Sequence, residues 1–121
     1  MNTLPYSKVI RSHEIQGVEQ FIKTAKLLIE THGWCKSEDS DRNTGSLDLQ
    51  KALLQVDFGS DYGGATTEVL YVKTRNFLCS LLSGGNILVF NDKVGNTQSN
   101  VIAFLDYALD LLSKKGIRDE D

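Results

Sequence analysis

A chain of 121 residues fits one domain and can bury a core without help from disulfides or metal. Apolar residues make up 40% and charged residues 24%, which excludes a disordered chain, and a net charge of -3 with scattered Lys and Arg argues against nonspecific nucleic-acid binding. Cys35 and Cys79 form no C-x-x-C pair, no secretory leader pattern opens the chain, and nothing approaches the roughly 20 apolar residues of a membrane span. The expectation is a cytoplasmic protein with reduced thiols, no cofactor or metal, and no membrane or nucleic-acid partner.

Residues 1–11 hold the only proline, Pro5, and show no period, so they read as an extended arm. Ile15, Val18, Ile22, Ala25 and Ile29 then recur at three- and four-residue steps, flanked by Phe21 and Leu28. That spacing predicts an amphipathic helix with one buried face. Ser12 is the expected N-cap, because its hydroxyl can accept from a free amide of the first turn. Gly33 is the expected stop, and Trp34 then packs back on Ile29 as in a Schellman motif. His32 in the last turn complements the helix dipole.

The segment 35–46, C-K-S-E-D-S-D-R-N-T-G-S, reads as a loop or a short hairpin. Asp39, Asp41 and Asn43 alternate like the first ligands of a calcium loop. The glycine required at the sixth position is Thr44, and the bidentate glutamate at the twelfth is Gln50, so the loop reads as a solvated turn. A second helix is expected from near Ser46, burying Leu49, Ala52, Leu53 and Val56.

Residues 59–66, G-S-D-Y-G-G-A-T, have the glycine spacing of a phosphate loop. Ala65 stands where the lysine is needed, and Asp61 adds repulsion. The next segment favours strand at Val69, Tyr71 and Val72 by propensity, yet its spacing fits a helix that buries Phe77, Leu78, Leu81 and Leu82 and stops at Gly84 and Gly85. Residues 86–90 read as one buried strand or an extended connector, and 91–96 as a turn. Thr97 caps a last helix with Val101, Leu105, Ala108 and Leu112 inward, and Gly116 stops it. The charged tail 118–121 is expected to fray.

The fold class expected is therefore α+β with helices dominant. Three to four amphipathic helices and a short hairpin or extended segment form a single domain over 12–117.

Trp34, Phe90, Asn91 and Asp92 are the candidate binding residues. Trp34 has a packing role first and a ligand role second. Asn91 and Asp92 most simply bond their own turn backbone, but they also form a polar pair at the end of an apolar run, beside a helix start.

In their order these features resemble a family of small, uncharacterised, mostly bacterial proteins classed as a domain of unknown function. That family shows a Gly-Trp helix stop, a polar loop, a short helix, and a Trp-Asn-Asp motif before the last helix. The matching residues are Gly33-Trp34-Cys35, residues 49–56, Phe90-Asn91-Asp92 and Gly95-Asn96-Thr97, within a span of 15–115. Phe90 stands where the family has Trp, and Gln50-Lys51-Ala52-Leu53-Leu54 replaces its Cys-Ala-Leu-Gly-Ala segment. The resemblance implies a fold and carries no activity.

Three functional readings follow. No complete catalytic set is visible, which favours a non-enzymatic binding or regulatory protein acting through a protein partner or a homo-oligomer. The second is a small hydrolase centred on Asp92 with Asn91 and with His32 or Cys35. The third is a small-ligand or nucleotide binder using residues 59–64 and the turn at Asn91.

Overall fold

The computed structural model describes residues 10–37, 45–56, 67–113 and 118–119, with side chains over 15–37, 45–56 and 67–113. Helix α1, Ser12–His32, runs through the middle of the molecule. It packs against α2, Leu49–Gln55, α3, Thr67–Ser80, and α5, Gln98–Ser113. A short helix α4, Ile87–Asn91, sits against α2 and α3.

The core is what the apolar stripes require. Ile15, Val18, Phe21, Ile22, Ala25 and Ile29 of α1 are all buried. They meet Leu49, Ala52 and Leu53 of α2, Leu70, Phe77 and Leu78 of α3, and Val101, Leu105, Ala108 and Leu112 of α5 in one cluster. Burying such side chains contributes about 1.5–3 kcal/mol each before entropy is counted, so these stripes fix which helix faces turn inward. Lys26 Nζ lies 2.7 Å from Asp106 Oδ1, tying α1 to α5 at the surface. The hydrogen bond from Lys26 to Asp106 raises the lysine pKa. A pair this exposed adds little stability.

The β component of the expected fold shrinks to almost nothing. Ile10–Arg11 (β1) pairs in parallel with Arg118–Asp119 (β2), two residues each, so part of the tail expected to fray is held against the arm. Among the described residues no hairpin brackets the polar loop: Trp34 and Leu47 form a single parallel bridge, whereas a hairpin pairs antiparallel. The segment expected to be extended is helix α4. Asn86 decides this by accepting from Leu88 N at 2.8 Å and Val89 N at 3.2 Å, a cap that outweighs the strand propensity of Ile87 and Val89. The ambiguous stretch before Phe77 is helical and belongs to α3.

Helix starts and stops also differ in detail. Helix α2, expected from near Ser46, starts at Leu49 and is capped by Asp48, whose Oδ1 accepts from Lys51 N at 2.8 Å. The expected cap holds at α5, where Thr97 Oγ1 accepts from Asn100 N at 3.2 Å. The side chain of Ser12, the calcium-like Asp39, Asp41 and Asn43, the phosphate-like segment 59–66, and Gly116 lie outside the described residues.

Candidate functional site

The site begins where α1 ends. Gly33 has φ +91°, a left-handed conformation that a side chain resists, and a Cβ there would sit 3.2 Å from Ser46 Oγ. Its N–H donates to Ile29 O at 2.7 Å. That single bond is the αL stop, not the Schellman motif expected from the sequence. The difference has a visible cause: the Trp34 N–H, which a Schellman motif would return to the helix, instead donates to Gln98 Oε1 at 3.0 Å. The chain then runs extended beside Leu47. Leu47 N donates to Gly33 O at 2.9 Å and Cys35 N to Leu47 O at 3.2 Å.

This path brings the indole to the last residue of α4. Trp34 Nε1 donates to Asn91 Oδ1 at 2.6 Å. The same oxygen accepts from Leu49 N, the first amide of α2, at 3.0 Å. On the other end of the amide, Asn91 Nδ2 donates to Cys35 O at 3.3 Å and to Asp92 Oδ1 at 2.9 Å. Asn91 is fully buried. An amide offers two acceptor sites and two donors, and here all four are used. One side chain thus joins the turn after α1, the start of α2 and the end of α4.

Asp92 extends the cluster outward. Its Oδ1 accepts from Ser37 N at 2.8 Å, and its Oδ2 accepts from Ser37 Oγ. Partial desolvation pushes the carboxyl pKa up. The hydrogen bonds from Ser37 and Asn91, with the nearby charge of Lys36, outweigh it and hold the group below 3.8. Asn96 Nδ2 closes the turn by donating to Phe90 O at 2.8 Å.

Of the four candidates from sequence, the structure joins Trp34, Asn91 and Asp92 in one bonded cluster. It does not bring Phe90 into it: the Phe90 ring packs on Phe104 with centroids 4.8 Å apart. Asn91 and Asp92 reach across the fold instead of bonding only their own turn. Ser37 and Gln98 are members that sequence reasoning missed, and neither left a local signal, because each meets its partner across more than fifty positions. Cys35 contributes its backbone, while His32 is exposed on the last turn of α1. Asp61 lies outside the described residues. Cys35 and Cys79 form no disulfide with each other.

A family model described as a family of unknown function, DUF6197, matches residues 15–111. The chain belongs to this family. No match is found among curated proteins or solved structures. The matched span of DUF6197 contains every described residue of the cluster, from Trp34 to Gln98, together with most of α5. Among the described residues, no helix is long and apolar enough to cross a membrane, and no three His, Cys, Asp or Glu side chains gather as a metal site would need.

The ionised state of Asp92 gives the cluster a pH signature. A carboxyl with a lowered folded pKa contributes stability that is present above its unfolded value and lost as pH falls through the folded one. The ordinary value here is 3.8, so the contribution is complete in neutral solution and disappears only in more acidic solution. Asp92→Asn should therefore be less stable than wild type at about pH 7, with the gap narrowing toward about pH 3. Urea unfolding followed by Trp34 fluorescence reads this, and a gap constant with pH would show that the Asp92 charge is not involved.

Proposed function

We propose that this chain is a small non-enzymatic binding or regulatory protein that acts by contact with a protein, either a partner or a second copy of itself. The observation that carries this reading is an open groove of about 460 Å³ between α1, α2 and α3, away from the polar cluster. Its walls include Phe21, Leu53, Leu54, Tyr71 and Val72. Leu54 is 58% exposed and Val72 49% exposed. Apolar side chains left in water around a concave apolar surface are what a protein contact covers.

The polar cluster supports the same reading from the other side. An efficient general base has a pKa near the working pH, and Asp92 is held low instead, with both oxygens occupied. Asn91 has no polar atom left to offer a ligand. These facts weigh against a hydrolase centred on Asp92 and against ligand binding through Asn91.

The test places a photo-cross-linking amino acid at position 54 in the cell of origin, with position 23, exposed on α1, as the control site. The expected result is a discrete protein adduct from position 54 only, lost when Val72→Glu is added to a chain that still melts normally. An absent adduct, or one equally strong from position 23, overturns the reading.

A further inference from the structure

We infer that the outward face of α3 pairs with the same face of a second copy of this chain, antiparallel, about a two-fold axis close to Val72. The inference rests on the binding reading above and names its partner.

Helix α3 has two distinct sides. Leu70, Lys73, Thr74, Phe77 and Leu78 are buried, while Glu68, Val69, Val72 and Arg75 face solvent. Val69 and Val72 stand 42% and 49% exposed. A single exposed valine is ordinary, but these two β-branched residues gain little from helix propensity and adjoin the apolar groove, so they form part of a patch that a contact can cover. Leu54 of α2 widens the patch across the groove, and Glu68 lines that groove as well.

The charges choose the occupant. Glu68 and Arg75 are seven residues apart, so they share one azimuth of the helix but lie about 10 Å apart along it. They cannot reach each other, and among the described residues neither forms an ion pair. In an antiparallel pair of these faces, Glu68 of one copy stands opposite Arg75 of the other, and the same contact repeats on the far side of the axis. Val72 lies between them. A parallel pair would oppose Glu68 to Glu68 and Arg75 to Arg75, which repel. A surface with an apolar centre and opposite charges spaced evenly about it is its own complement, as an isologous contact requires. The arginine stem can lie on the apolar wall formed by Leu54 and Val72 with its guanidinium at Glu68. A net charge of only -3 leaves little repulsion to oppose association.

Sedimentation equilibrium of the full chain tests this, at concentrations up to the order of hundreds of micromolar so that a weak dimer is populated. The wild type should dimerise. Glu68→Arg and Arg75→Glu should each weaken the dimer by roughly tenfold. The double variant should recover wild-type affinity, and the two single variants mixed together should form a heterodimer. All positions are exposed, and circular dichroism and thermal melting check that each variant folds. A wild type that stays monomeric, or a dimer indifferent to these charges, overturns the inference. If the wild type is monomeric while position 54 cross-links to a different protein, the dimer fails and the binding reading stands. If neither dimer nor adduct appears, both fail.

Discussion

Asn91→Ala should be strongly destabilising, lowering stability by about 3–5 kcal/mol, as much as truncating a large core side chain. The side chain is fully buried and makes four hydrogen bonds to four different residues. Truncation removes the acceptor of both the Trp34 indole N–H and the first amide of α2 at once. Each unsatisfied buried group costs about 1–3 kcal/mol, more than the net worth of the bond it made. Domains are stable by only about 5–15 kcal/mol, so the loss is a large share of the whole. Urea unfolding followed by Trp34 fluorescence measures it, and a loss below about 1 kcal/mol would refute the brace. Asn91→Asp separates hydrogen bonding from charge. The carboxylate keeps both acceptor contacts but loses the donors and places a second negative charge beside Asp92. Two adjacent carboxylates raise the folded pKa of the pair, so this variant should gain stability as pH falls. Wild type moves in the opposite direction over the acidic range.

Much of the fold was legible because burial has a period. The stripes read on α1, α2 and α5 are the residues that the core buries, since a helix has no other way to hide that spacing. Helix α4 was not legible from composition. Ile87, Leu88, Val89 and Phe90 suit a strand, and the outcome was set by one capping amide at Asn86 and by packing on α2 and α3. A propensity spread over five residues is weak against a cap and tertiary contact. The site was legible only as residue types. Trp34, Asn91 and Asp92 were marked by short motifs, but the Trp34–Asn91 bond spans 57 positions and the Ser37–Asp92 bond 55. Nothing local tells a serine in a polar loop that its acceptor lies at the end of a distant helix. The Schellman expectation failed for the same reason: the competing acceptor, Gln98 Oε1, arrives from α5.

Trp34 is where packing and polarity can be told apart, and the expected order is Trp34→Ala well below Trp34→Phe, which lies below wild type. Trp34 is partly buried and packs on the main core. Removing the indole should cost about 3–4 kcal/mol, the lower part of the range for truncating a large aromatic side chain, because Trp34 is only partly buried. Phenylalanine keeps most of the apolar contact and loses only the donor to Asn91 Oδ1, so that change should cost about 1–1.5 kcal/mol. Trp34 is the only tryptophan, so far-UV circular dichroism must follow unfolding in these variants. The shared bond supplies a second check. Trp34→Phe and Asn91→Ala remove the same contact from opposite ends, so the double variant should lose less than the sum by about 1 kcal/mol. Strict additivity would mean that the indole and the amide act independently, and the brace would then reduce to ordinary packing.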